Sequence, residues 1–233
     1  MSILQILQNL DEQLTLFING SSSLYLDRFA ILATSTWVWL PIAIVLLLVL
    51  LKNESRRNVI TILIFILLCI LWADQVASSI CKPYFERLRP SQDVNICHCI
   101  DIVEGYRGGK YGFFSSHAAN TFAVATFVAL LIRNYGLSML LYSWALLNCW
   151  TRLYLGVHYV GDIVVGMMWG ISVGYLMYFV WRRWVCDNSS WNSTARPGIT
   201  TVSGYQVDSV LRLNLSIVLT YIVIIFLSFL PLF

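Results

Sequence analysis

AILATSTWVWLPIAIVLLLVLL, residues 30–51, has twenty-two consecutive positions without a charged side chain. A hydrocarbon core is about 30 Å thick and needs about 20 helical residues to cross it, so this stretch is long enough to span a bilayer. In lipid every backbone N–H and C=O requires a partner within the chain. The ten-residue polar–apolar alternation of a membrane barrel is not seen, so the segment is read as a helix. Five more stretches read the same way: 58–80 with Asp74 inside it, 116–132, 134–151, 163–181, and 213–233 within a last transmembrane segment 211–233. The expected fold is all-α, an integral membrane bundle of six transmembrane helices forming a single domain, 1–233.

Composition agrees with that pattern. Of 233 residues, 58% are hydrophobic and 12% charged, with a mean hydropathy of +0.73. A soluble domain carries about 25% charged residues. Intrinsic disorder, a basic nucleic-acid-binding domain and a small disulfide scaffold are excluded, and a net charge of +3 is too small to imply an anionic polymer as partner. Residues 3–19 (ILQILQNLDEQLTLFIN) mix apolar residues with Gln, Asn, Asp11 and Glu12, which predicts an amphipathic helix lying in the interface within an N-terminal segment 1–27. The first basic residue is Arg28, so the charged start of a secretory signal is not expected.

Six cysteines stand at 69, 81, 97, 99, 149 and 186. Cys69 and Cys149 lie in apolar runs and read as core residues. Cys97-His98-Cys99 lacks the second ligand pair of a structural zinc site, so loop packing or a disulfide is expected there and no metal. Residues 182–210 read as a polar connector. Five Asn-x-Ser/Thr triplets begin at Asn19, Asn53, Asn188, Asn192 and Asn214.

Counting spans puts 81–115 and 152–162 on one face of the membrane. The opposite face holds Lys52, Arg56, Arg57, Arg133, Arg182, Arg183, Arg196 and Arg212. Cytoplasmic loops are the Lys/Arg-rich ones, so the 182–210 face is assigned to the cytoplasm, with the 81–115 face and both termini outside.

Three clusters meet on that outer face: Lys82-Pro-Tyr-Phe-Glu-Arg-Leu-Arg89-Pro90, then Phe114-Ser115-Ser116-His117, then Thr151-Arg152 followed by His158 and Asp162. Charged groups at membrane depth are costly and point to function. Lys82, Arg89 and Arg152 can surround a phosphate, Arg with planar paired donors and Lys as a point charge. Ser115 and Ser116 stand where a helix starts, and its unsatisfied N–H groups favour an anion. Asp162 lies four residues after His158 and can fix its tautomer, leaving the other ring nitrogen to attack phosphorus. His117 is then placed to protonate the leaving oxygen. Without a carboxylate cluster for magnesium, the cations themselves must stabilise the transition state. Phosphoryl transfer is the chemistry that such a set serves.

The three clusters resemble those of the type 2 phosphatidic acid phosphatase and vanadium haloperoxidase superfamily, whose pattern is Lys-x6-Arg-Pro, Pro-Ser-Gly-His and Ser-Arg-x5-His-x3-Asp. Lys82, Arg89, Pro90, Ser115, His117, Arg152, His158 and Asp162 match. Phe114, Ser116 and Thr151 replace proline, glycine and serine. The clusters occupy residues 82–162, and the flanking helices suit the membrane branch of the superfamily. The resemblance implies a phosphatase that needs no cofactor and works through a phosphohistidine. His158 would be the nucleophile, Asp162 its orienting partner and His117 the acid, with Lys82, Arg89, Ser115, Ser116 and Arg152 on the phosphate. It also implies a bacterial cytoplasmic (inner) membrane protein with its site on the periplasmic side. Short bacterial members act on lipid A phosphates, undecaprenyl diphosphate or phosphatidylglycerophosphate. Lipid A phosphate is favoured because the basic loop 107–110 suits a large anionic headgroup. Transfer of phosphate between lipids, or lipid binding without catalysis, are the alternatives.

Outside the clusters, Glu86 and Arg87 read as an exposed juxtamembrane pair. Asp74 serves either a site cation or a contact between helices. Residues 104–112, with four glycines, read as a flexible lid beside the site.

Overall fold

The computed structural model describes residues 2–188 and 199–230. The described residues are helical apart from a long loop, 86–115, shorter connecting turns and two isolated β-bridges. Helix α1 spans Ile3–Ile18, α2 Leu24–Thr34, α3 Thr36–Asn53 and α4 Arg56–Gln75. A π-helical turn, Val76–Cys81, leads into the one-turn α5, Lys82–Phe85. Then come α6 Ser116–Ile132, α7 Tyr135–Tyr154, α8 Val160–Asn188 and α9 Val207–Ser228.

Among the described residues, Thr36–Asn53, Arg56–Phe85, Val160–Trp184 and Val207–Ser228 are long and apolar enough to cross a membrane, and Ser116–Ile132 is a shorter apolar helix. The apolar residues of α3, α4 and α9 point largely outward, with Leu48, Ile60, Leu67, Leu219 and Phe226 more than half exposed. In water this would be untenable; in hydrocarbon it costs nothing. Helix α6 is the opposite case. It is buried on nearly every side, from Ala118 through Phe122 and Phe127 to Ile132, and forms the axis on which α4, α7 and α8 pack.

Close approach at this axis comes from small residues. Gly166, Gly170 and Gly174 recur every four positions on α8 and face Ala118, Ala119, Ala123 and Thr126 of α6. A Cβ on Gly166 would lie 2.6 Å from the Ser115 carbonyl, and one on Gly170 would strike that of Ala119. Small residues at four-residue spacing let backbones meet where no hydrophobic force drives helices together. The contact brings the start of α6, with Ser115 to His117, against the start of α8, with Asp162.

Several element boundaries differ from those expected. The stretch 30–51 is not one helix. Ser35 is extended (φ −72°, ψ 122°) and separates α2 from α3; the Trp39 indole N–H donates to the Ala33 carbonyl (2.9 Å), satisfying one group that the break leaves open. The span therefore starts at Thr36, and α2 packs against α7 and α9. The last helix starts at Val207, not 211, because an i,i+4 pair of Asp208 and Arg212 (2.9 Å) supports a polar first turn. The region 182–210 is not a plain connector either. Helix α8 continues to Asn188, and residues 199–206 form a turn with a Thr200–Gln206 bridge. Tyr205 there is buried, and its hydroxyl donates to Glu54 (2.9 Å). Asn192, Arg196 and the end of the last segment, 231–233, lie outside the described residues. Cys97 and Cys99 are free thiols in a short 3-10 turn, so no disulfide joins them.

The two ends of the bundle are distinct. Asn53 accepts from the Gln206 N–H, and Ser203 donates to the Ile132 carbonyl, so 53–55, 132 and 203–206 share one end. The other end gathers α1, α5, the loop 86–115 and the 155–159 turn.

Candidate active site

Helix α4 carries an i,i+4 ladder toward the site. Ser78 donates to Asp74 (3.3 Å), and the Lys82 ammonium donates to Ser78 (3.3 Å) and to Ser116 (3.1 Å). The π-helical turn lies within this ladder; such turns alter the side-chain phase of a helix and recur at functional sites. Asp74 therefore serves a site cation through Ser78. Ser116 occupies the position where the related pattern has glycine, and its hydroxyl accepts from Lys82.

Ser115 caps α6, accepting from the Ala118 N–H (3.4 Å), and its own N–H donates to the Asp162 carbonyl (3.1 Å). His117, one residue into the helix, is exposed and lies within electrostatic reach of Arg152, His158, Lys82 and Arg89. Phe114, in place of proline, is buried beside Trp169.

Helix α7 ends in a turn at Gly156 (φ +66°), where a Cβ would collide with Ile100 at 2.5 Å. Glycine alone suits that conformation and that space. The turn lifts His158 to the mouth of α8. There the His158 Nδ1–H donates to Asp162 Oδ2 (3.3 Å), which also accepts from the Tyr159 N–H (3.1 Å). Both side chains are almost wholly buried. Burial pulls the His158 imidazole down to about 4, although the hydrogen bond and charge of Asp162 pull it up. The ring is thus neutral at physiological pH, with Nε2 carrying a lone pair.

Arg89 donates to the Tyr111 carbonyl (3.1 Å) and the Val157 carbonyl (3.3 Å). Arg152 is 2% exposed. One of its nitrogens donates to the Tyr106 hydroxyl (3.1 Å), with the guanidinium 5.6 Å over that ring. Its Nε and Nη2 are buried and have no hydrogen-bond partner. A buried guanidinium with two unused donors is costly unless an anion completes it.

Three expectations change here. Arg87 is not half of an exposed pair; it donates to Asp162 Oδ1 (2.8 Å) and to Asp11 Oδ2 (2.6 Å), while Glu86 stays exposed. Helix α1, expected to lie in the interface, is hydrogen-bonded to the start of α8: Asp11 accepts from the Gly161 N–H (2.7 Å) and Thr15 from the Val160 N–H (3.1 Å). The lid segment is tied down. Ser91 and Arg107 exchange hydrogen bonds (3.0 and 3.1 Å), and Leu88 bridges to Tyr111. Sequence reasoning also missed Gly112, where a Cβ would lie 2.9 Å from Asp162 Oδ2 and 3.6 Å from His158 Nδ1. All eight residues singled out for the site lie at this end of the bundle.

Apolar helices exposed to a lipid-like surroundings, with cations and an imidazole–carboxylate pair gathered at one end, define a multi-pass membrane protein built for anionic headgroups. The family model described as the PAP2 superfamily matches residues 61–186, and the chain belongs to that superfamily of metal-independent phosphatases. It is 41% identical over 179 residues to a protein named lipid A 4'-phosphatase from Bacteroides thetaiotaomicron, covering 76% of this chain and 80% of the relative. It is 33% identical over 208 residues to a protein of the same name from Porphyromonas gingivalis, covering 89% and 86%. Two crystal structures share the fold. One is the transmembrane PAP2 type phosphatidylglycerolphosphate phosphatase from Bacillus subtilis (TM-score 0.57, 19% identity, 80% of this chain and 90% of that one). The other is Aquifex aeolicus LpxE (TM-score 0.54, 24% identity, 72% and 94%).

Proposed function

We propose that this protein removes a phosphate from lipid A, at the 4' position named for its relatives, at the periplasmic face of a bacterial cytoplasmic membrane that it crosses six times. The observation that carries this reading is Arg152, sealed from solvent with two guanidinium nitrogens unpartnered beside a neutral, oriented imidazole. Lys82, Arg89, Ser115, Ser116 and Arg152 receive the phosphate and balance the charge that grows on its oxygens. His158 Nε2 attacks phosphorus in line with the sugar oxygen, the P–O bond breaks, and His117 gives that oxygen its proton. Asp162 keeps the proton on Nδ1 and stabilises the imidazolium that forms. His117 then takes a proton from water, the water oxygen bonds to phosphorus, and the P–N bond breaks to release inorganic phosphate. Basic residues at the far end, Lys52, Arg56, Arg57, Arg133, Arg182, Arg183 and Arg212 among the described ones, support that end as cytoplasmic.

The test is purified protein in detergent, given lipid A that carries both phosphates. Mass spectrometry should show loss of one phosphate, with fragmentation assigning it to the 4' side, and acid-labile phosphate should be trapped on the protein. The His158→Ala and His117→Ala proteins should lose turnover by about a thousandfold or more while keeping their helical circular dichroism. Hydrolysis of undecaprenyl diphosphate or phosphatidylglycerophosphate with lipid A untouched overturns the substrate. Wild-type turnover by His158→Ala overturns the mechanism.

A further inference from the structure

The catalytic carboxylate does not stand alone. Asp162 has two oxygens, and each has its own partner: Oδ2 takes the His158 Nδ1–H and the Tyr159 N–H, and Oδ1 takes the Arg87 guanidinium at 2.8 Å. The other arm of Arg87 reaches Asp11 of α1 at 2.6 Å. The guanidinium is also stacked 4.0 Å over the Tyr159 ring, and the Tyr159 hydroxyl is anchored by donating to Asp93 (3.0 Å). Asp11 in turn accepts from the Gly161 N–H, the residue before Asp162. Helix α1 thus closes a chain of four residues and three links, Asp11–Arg87–Asp162–His158, around the first turn of α8.

We infer that Arg87 is a positioning residue for the reaction: held from behind by Asp11, it fixes the carboxylate of Asp162 and sets how strongly that carboxylate draws a proton onto His158. The inference rests on the phosphatase reading of the site and adds residues that lie outside its three sequence clusters' matched positions. Two features of the geometry carry it. First, a carboxylate that shares its charge with a guanidinium on one oxygen attracts the imidazole on the other less strongly than a lone carboxylate would. Second, Arg87 is clamped on three sides, by two carboxylates and an aromatic face, so it holds Asp162 in one rotamer instead of following it. Asp11 tempers the cation, since a second carboxylate on Arg87 reduces what Asp162 loses.

The charges acting on this pair come from every neighbouring element. His158 faces Asp162 on α8, Arg89 of the loop after α5, Arg152 on α7 and His117 on α6. Asp162 faces Arg87 directly and feels Lys82 and Arg89. Arg87 faces Asp11, Asp162 and Tyr159. Among the charged groups named here, Arg87 and Asp11 act on His158 through Asp162 and stand behind it, away from the proposed phosphate cup.

The two variants shift the pH profile in opposite directions. Arg87→Met removes the offsetting cation, so Asp162 holds the His158 proton harder and the acid limb of kcat/KM moves to higher pH. Asp11→Asn keeps an oxygen for the Gly161 N–H but leaves Arg87 fully positive, so the limb moves to lower pH. In Arg87→Met, kcat should also fall by about ten- to hundredfold, the scale seen when a group that orients a histidine is removed. KM should stay within about twofold, because no phosphate contact is lost. Arg87→Lys, which keeps charge but loses the planar fork, should return the limb to its wild-type position while recovering only part of kcat. Asp11→Asn gives a reading even where Arg87→Met fails to fold. Profiles that superimpose on the wild type, or that move in the same direction in Arg87→Met and Asp11→Asn, overturn the inference. His158→Ala is run beside them: if it is inactive while both other variants behave as wild type, the phosphatase reading stands and the role of Arg87 falls.

Discussion

His158 shows how far one side chain's surroundings set its chemistry. Burial removes the water that would stabilise an imidazolium, and this outweighs the attraction of Asp162, so the folded ring binds a proton only near pH 4. The sign follows directly. As pH falls from neutrality the proposed nucleophile stays unprotonated through the range in which an exposed histidine, near 6.5, would already be charged. The acid limb of kcat/KM should therefore lie well below pH 6, read from initial phosphate release across a buffer series at constant ionic strength. A limb centred near 6.5 would mean that the ring is solvated and the pair not formed. Ser116 belongs at this scale too. Its hydroxyl accepts a hydrogen bond from the Lys82 ammonium at 3.1 Å, so the side chain that replaces the family's glycine is tied to a cation of the proposed phosphate site.

At the scale of elements, the site depends on how closely α6 and α8 meet. Gly170 lies against the Ala119 carbonyl, where neither side can retreat because both contacting groups are backbone. Gly170→Leu should lower stability by about 1–3 kcal/mol, the usual cost of overpacking. It should appear as a lower midpoint of thermal unfolding in detergent, with activity reduced as Ser115 is displaced from Asp162. Gly109→Ala is the matched control. A Cβ there meets nothing within 4 Å, so the midpoint and turnover should both hold, within about 0.5 kcal/mol for stability. Equal effects from the two substitutions would show that the glycine row on α8 is not a packing seam. The row was legible at four-residue spacing in residues 166–174, but its meaning needed the alanines of α6, forty to fifty positions earlier.

For the whole molecule, one end of the bundle holds the proposed active site and the other is basic, and the bilayer fixes which faces out. A cysteine placed at Lys110, which is exposed at the end with the proposed site, should react in intact cells with a membrane-impermeant maleimide. A cysteine at Arg57, exposed at the other end, should react only after the cells are opened. These reagents would be used on a background with the native cysteines replaced. The reverse pattern would place the phosphate cup in the cytoplasm. Treating the purified protein with a metal chelator should leave phosphate release unchanged, as expected where cations from side chains carry the charge.

The residues proposed for the phosphate cup could be picked out of the chain because the chemistry they would perform constrains their spacing. Arg152, His158 and Asp162 lie on the end of α7, the turn that follows it and the first turn of α8, so their geometry is local and leaves a sequence signature. Apolar runs of about 20 residues likewise revealed the helices, since lipid admits few alternatives. Boundaries at Ser35 and Val207 were less visible, because a cap or an i,i+4 pair moves a helix end without altering its hydropathy. Asp11 and Arg87 were not legible at all. They are 76 residues apart, and a carboxylate on an amphipathic helix looks the same whether it meets water or a buried guanidinium. The amino-acid sequence by itself determined the membrane character of the chain and its apolar helices, and singled out the side chains proposed to handle phosphate; the tertiary structure alone decided that α1 closes on α8 and ties Arg87 to the His158–Asp162 pair, because a contact between distant segments is fixed by packing and leaves no periodicity in the chain.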